Sequence, residues 1–246
     1  MSQNGVKPGS KAVKKSAHQY KSIFFDLDHT LWDYECNSRE TLSELHTAFD
    51  LSRHGIPLDE FHSHFKTINF HLWQLYDRGL ADHKTIREER FKQVLGQFNV
   101  YDERLSGDLS FEYLHGCPKK CTLVPHAREI LEYLTGKYSL TVVTNGFEEI
   151  QSVKLLSGKI SHYFDHVITS QKAGSKKPER GIFDYALSVN NLCCHDVIMI
   201  GDNLLTDIAG ARNAAIDCVF YNPESITHSE AVNHEIRCLS ELQNIL

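Results

Sequence analysis

An apolar run in this sequence ends in two carboxylates two residues apart, in Phe25-Asp26-Leu27-Asp28-His29-Thr30-Leu31. Side chains alternate along a strand, but just past its end the backbone can turn both carboxylates toward one site. Two acids held that close repel each other unless a cation or a proton intervenes. The plain alternative is that Asp26 and Asp28 cap a loop. The desolvation cost of two unpaired carboxylates at a strand end weighs against it.

Three further segments place polar groups in the same setting. Val143-Thr144-Asn145-Gly146 closes another apolar run. The Thr144 hydroxyl can donate to a phosphate oxygen, and Asn145 and Gly146 can offer backbone N–H groups where a helix begins. Thr-Asn-Gly is also common turn punctuation. In Lys176-Lys177-Pro178-Glu179 a lysine stands just before a helix-starting proline. There it can neutralise a phosphate or restrain a carboxylate, with a solvated surface pair as the alternative. Ile200-Gly201-Asp202-Asn203 puts an aspartate at a strand end, and Asp207 follows on the first turn of the next helix. Hard oxygen ligands of this kind suit Mg²⁺. Asp207 could equally be a favourable charge at a helix N-terminus.

The elements that must position these groups can be read from periodicity. Short β-branched or aromatic runs at 22–28, 140–145, 166–170, 197–202 and 218–221 read as buried parallel strands. Pro125 can start a helix that buries Ile130, Leu131 and Leu134. Pro178 can start another that buries Ile182, Phe183, Ala186 and Leu187. Alternating strands and helices imply an α/β fold with a doubly wound parallel sheet. The span 34–120 breaks that rhythm with helical stripes. Asn37 with Glu40 resembles a capping box, and Thr85 followed by Glu88 starts a further helix. Phe61, Phe65, Ile68 and Leu72 form a stripe closed by Gly79, and a last helix covers roughly 102–115. The expected division is a core of 21–33 and 121–246, with an all-helical cap at 34–120 over the first strand's C-terminal end. Asp26, Thr144, Lys177 and Asp202 then converge at one edge of the sheet.

Composition narrows the function classes. At 246 residues, 41% hydrophobic and 24% charged, the chain reads as a globular protein of one large domain, or a core with a second small one. A net charge of −6 disfavours a nucleic acid polymer or a membrane surface as partner. The seven cysteines lack zinc-ligand spacing and read as free thiols. The fifteen histidines offer no clean pair with a matching acid. Residues 1–20 carry Lys7, Lys11, Lys14 and Lys15 with no acid and no apolar run, and read as a disordered tail rather than a leader or anchor. Cytoplasmic location is the default expectation. Trp32 and Tyr34 beside the first motif could stack on a base or pack between core and cap.

The order Asp-x-Asp-x-Thr, Thr-Asn, Lys-Pro and Gly-Asp-x-x-x-x-Asp resembles the four motifs of the haloacid dehalogenase-like hydrolases, from Ser22 to about Tyr221. That resemblance implies a Rossmann-like core with an inserted C1-type cap. The flanks Asp28-His29-Thr30-Leu31-Trp32-Asp33 and Thr144-Asn145-Gly146-Phe147-Glu148-Glu149 further resemble pyrimidine nucleotidases of that superfamily. By the resemblance, Asp26 attacks phosphorus and forms an aspartyl-phosphate, and Asp28 protonates the leaving oxygen and then activates water. Mg²⁺ is held by the Asp26 carboxylate, the Asp28 backbone carbonyl and the Asp202 carboxylate, with Asp207 in support. Thr144, the backbone at Asn145, and Lys177 bind the phosphate of a small phosphorylated metabolite. A nearby anion is expected to raise the Asp28 pKa and keep it an acid. A phosphomutase is the alternative with the same core. A carbon–halogen dehalogenase needs no acid at position 28, and an inactive binding protein would show a decayed motif.

Overall fold

A computed structural model describes residues 20–246. The tail expected at 1–20 lies outside the described residues, Tyr20 apart.

Six parallel strands form one sheet in the order β3-β2-β1-β4-β5-β6. They are β1 (Ser22–Phe25), β2 (Ser139–Thr144), β3 (His166–Thr169), β4 (Val197–Gly201), β5 (Asp217–Tyr221) and β6 (His234–Ile236). The central strand β1 pairs with β2 on one side and β4 on the other, Phe25 lying opposite Val142 and Ile200. Five strands fall where the apolar runs predict them. β6 is an addition to that expectation, a three-residue edge strand His-Glu-Ile with a single apolar side chain.

The helices are α1 (Tyr34–Ala48), α2 (Leu58–Asp77), α3 (His83–Gly96), α4 (Glu103–Gly116), α5 (Ala127–Leu134), α6 (Glu148–Ser157), α7 (Ser170–Ala173), α8 (Arg180–Asn190) and α9 (Ala209–Asn213). Strand alternation sends side chains to opposite faces of the sheet. Phe24, Val143, Met199 and Phe220 meet Ile182, Phe183 and Ala186 of α8 and Ala211 of α9. Phe25, Val142, Ile200 and Val219 meet Ile130 and Leu131 of α5 and Leu155 of α6. Helices cover both faces, which defines the doubly wound α/β class. Among the described residues, no helix is long and apolar enough to cross a membrane.

Helices α1 to α4 form an insert between β1 and β2. Aspartate starts three of them. Asp33 accepts from the Cys36 N–H at 2.9 Å, Asp82 from Thr85 at 2.7 Å and Asp102 from Leu105 at 2.9 Å. The capping box expected at Asn37 and the helix start expected at Thr85 are therefore corrected, since each start lies upstream at an equally good cap. Asn37 is instead buried inside α1, where its amide donates to the Thr122 carbonyl and accepts from the Thr122 N–H. That reciprocal pair, with Asp33 N–H on Thr122 O and Val124 N–H on Leu31 O, holds the insert's entry and exit side by side. The first motif and the base of the insert are thus one rigid junction.

Candidate active site

The sheet brings its chemistry together at the C-terminal ends of β1, β2 and β4. Asp26 follows β1 directly, and its N–H bonds the Ile200 carbonyl at 2.9 Å. Lys177 arrives from the loop before α8 and is buried, at 2% exposure. Its ammonium donates to Asp26 Oδ1 at 2.5 Å and to the Val143 carbonyl at 2.8 Å, and pairs with Asp207 Oδ1 at 2.7 Å. Its position is set by Asn145, whose amide accepts from the Lys177 N–H and donates to the Lys177 carbonyl. Burial opposes the Lys177 charge, but Asp207 and Asp26 around the ammonium outweigh it and raise the pKa.

Oxygens of Asp26, Asp202 and Asp207 all lie within 4.8 Å of one another. Burial is the main cause that drives Asp202 up to about 7, with the Asp207 charge adding to it. Burial likewise raises Asp26 well above an ordinary carboxyl, against the pull of Lys177. Three clustered carboxylates with one lysine are under-neutralised, which is the donor set a hard divalent cation fits. Thr30 donates its hydroxyl to Asp202 Oδ1 at 3.2 Å. Asp207 lies in a π-type turn, Leu204–Ile208, and accepts from the Asn203 N–H at 3.0 Å. Glycine is required at 201, where a Cβ would stand 2.6 Å from that of Asp207 and closer still to its carboxylate.

Thr144 is buried at the end of β2, and its hydroxyl oxygen accepts from the Gly146 N–H at 3.0 Å. The hydroxyl proton remains available for a ligand oxygen.

Asp28 is held differently. Its carboxylate takes the Lys154 ammonium at 2.5 Å and Gln151 Nε2 at 2.9 Å, both from α6. Lys154 is buried, with its ammonium 4.6 Å from the centre of the Trp32 ring and 5.7 Å from that of Tyr34. Burial pushes the Asp28 carboxyl up, but the Lys154 charge and these hydrogen bonds outweigh it and leave the pKa below the ordinary value. This lowered pKa belongs to the site without a bound anion; the rise is expected once an anion enters. Of the two readings of Trp32, packing is the one found: it is fully buried, donates its indole N–H to the Lys120 carbonyl, and offers no open face to a base. Tyr34 is half-buried, with its hydroxyl 3.0 Å from that of Tyr113.

The insert closes against this edge. Asp77 accepts from Asn145 Nδ2 at 3.1 Å, His83 Nε2 lies 3.3 Å from the Asn145 carbonyl, and Tyr76 meets Ser170 at 3.0 Å. The open cleft lined by Tyr76, His83, Ser170, Lys176 and Glu179 includes none of the site carboxylates. Lys154, Gln151 and Asp77 were not anticipated from sequence. The available signal was polar side chains on buried helix faces, Gln151 and Lys154 sharing a stripe with Leu155.

Comparison with known proteins agrees with the geometry. The model of the haloacid dehalogenase-like hydrolase family matches residues 23–221. The chain belongs to that family of enzymes. It is 28% identical to the pyrimidine 5′-nucleotidase YjjG of Escherichia coli over 91% of this chain and 96% of that one. It is 30% identical to the glyceraldehyde 3-phosphate phosphatase of Pyrococcus abyssi over 82% of this chain and 81% of that one. Among solved structures, the putative HAD-hydrolase YfnB of Bacillus subtilis, bound to magnesium, superposes with a TM-score of 0.83 at 25% identity, covering 92% of this chain and 98% of that one.

Proposed function

We propose that this chain is a Mg²⁺-dependent phosphomonoester hydrolase that works through an aspartyl-phosphate, with nucleoside 5′-monophosphates, pyrimidine ones first, as substrates. The observation that carries the reading is the buried Lys177 bridging Asp26 and Asp207 beside Asp202. The nucleotide preference rests on the likeness to pyrimidine 5′-nucleotidases alone.

Asp26 is the nucleophile. Its carboxylate oxygen bonds phosphorus as the ester P–O bond breaks, and Lys177 orients it and offsets charge on the phosphoryl oxygens. Thr144 and the backbone at Asn145 hold those oxygens from the other side. Asp28 gives its proton to the leaving oxygen. Water then attacks the phosphoryl group, passes a proton to Asp28 and releases Asp26. Lys154 favours the carboxylate form that the second step uses, while the entering dianion favours the acid form that the first uses. The Asp26 and Asp202 carboxylates and the Asp28 carbonyl are the groups that would hold Mg²⁺, which supplies charge stabilisation to the transferring phosphoryl group. The helical insert acts as the cap that shuts water out and meets the leaving group.

The test is turnover of a panel of nucleoside monophosphates, sugar phosphates and phenyl phosphate with Mg²⁺, with Asp26→Asn as control. Turnover that vanishes in the variant is expected. No turnover of any phosphomonoester would overturn the reading, and sugar phosphates far outpacing every nucleotide would overturn its narrower half.

A further inference from the structure

Arg90 of α3 is an arginine buried in the insert, at 2% exposure. Its guanidinium sits over the rings of Tyr113, Phe65 and Phe91, at 4.6, 5.4 and 5.8 Å from their centres. Nη1 donates to Asn69 Oδ1 at 3.1 Å, but Nε and Nη2 have no partner. A buried charge is ordinarily paired or fully hydrogen-bonded, and two free donors forming one fork are costly to leave so. Aromatic faces attract the cation but do not satisfy its N–H groups.

Arg90 connects to the candidate site through two tyrosines. Tyr113, under the guanidinium, meets the Tyr34 hydroxyl, and the Tyr34 ring is tilted against that of His29, 4.9 Å between centres, and lies 5.7 Å from the Lys154 ammonium that grips Asp28. Burial raises the Tyr34 phenol's pKa, with the Arg90 charge opposing the rise and the Asp28 charge adding to it. Through Tyr113 and Tyr34, Arg90 is linked to the groups that surround Asp28.

We propose that Arg90, oriented by Asn69, is the specificity residue for the leaving group, and that it reads oxygen acceptors at the far end: a carbonyl edge of a pyrimidine base or a carboxylate of a sugar acid. This rests on the phosphatase reading above. The planar fork suits two adjacent acceptors, and lysine cannot reproduce it.

The experiment compares wild type with Arg90→Gln and Arg90→Lys on two matched pairs. These are uridine 5′-monophosphate against ribose 5-phosphate, and 6-phosphogluconate against glucose 6-phosphate. The quantity read is the ratio of kcat/KM within each pair. In the pair whose first member carries the right acceptor, the ratio falls about 10²-fold or more in Arg90→Gln, because a site built to hydrogen-bond loses that discrimination. Which pair responds tells base from carboxylate. A purely structural arginine lowers both members of each pair by one factor, and that result overturns the proposal. Arg90→Lys keeps the charge on the rings and serves if Arg90→Gln does not fold. Calorimetric binding of uridine and of gluconate to the same proteins is independent of turnover. Binding weakened about tenfold in Arg90→Lys supports the assignment even if no phosphomonoester is hydrolysed, which would sink the phosphatase reading alone. Equal binding by all three proteins overturns the role of Arg90.

Discussion

Replacing Asp28 by asparagine separates two things done by one carboxylate. The new amide carries no charge and meets two donors, Lys154 Nζ and Gln151 Nε2, which now sit 2.5 and 2.9 Å from the carboxylate. The Lys154 side chain is 6% exposed, so its ammonium is left buried without its anion, while the Asp28 side chain keeps 24% exposure. Breaking a buried pair from one side costs about 3–5 kcal/mol. Partial exposure of Asp28 and the attraction of the Trp32 face reduce this to about 2–3 kcal/mol. For a chain of this size that is a fall in Tm of about 4–12 °C. Adding Lys154→Met removes the stranded ammonium, so the double variant should recover most of the lost stability. Activity should not follow. Asp28→Asn alone is expected to lose about 10²–10⁴-fold, and the double variant should stay as low, since no proton donor returns. Thermal melts of all four proteins give the stability cycle. Single-turnover transfer from phenyl and alkyl phosphates gives the chemistry, with a smaller loss for the better aryl leaving group. A double variant less stable than both singles would refute the buried pair. Equal slowing of aryl and alkyl transfer would refute Asp28 as the acid.

Asp202 rises from the ordinary 3.8 to about 7 on burial beside Asp207, so the folded chain holds a proton that the unfolded chain releases. Without a cation, stability should therefore fall as pH rises from about 4 to about 7, and Mg²⁺ should raise Tm more at about pH 8 than at about pH 5; an equal shift at both would contradict the carboxylate cluster as the metal site. Gly201→Ala would drive its Cβ into Asp207 and pull that carboxylate off Lys177. A misplacement of this size should lower kcat by about 10²-fold with phenyl phosphate, and wild-type kinetics in this variant would show that the Asp207–Lys177 contact does not position the site.

The strand ends were legible because their signal is local. An apolar run that stops at Asp26, Thr144 or Asp202 carries both the strand and the group it delivers, and the parallel sheet then aligns those ends without further information. The groups that arrive from helices were not. Lys154 of α6 meets Asp28 across 126 residues of sequence. Nothing near Asp28 in the chain announces the buried cation that lowers its pKa in the site without an anion. Trp32 was ambiguous for the same reason, since only the fold reveals that Lys154 and Lys120 occupy its surroundings. One signal was present and unread: Gln151, Lys154, Asn69 and Arg90 are polar residues on helix faces that otherwise bury Leu155, Phe65 and Phe91. A polar side chain on an apolar stripe must find a partner or be costly. In this chain Lys154 and Gln151 find Asp28, while the two free donors of Arg90 find nothing in the protein. That asymmetry distinguishes a cation that tunes the chemistry from one that waits for a ligand.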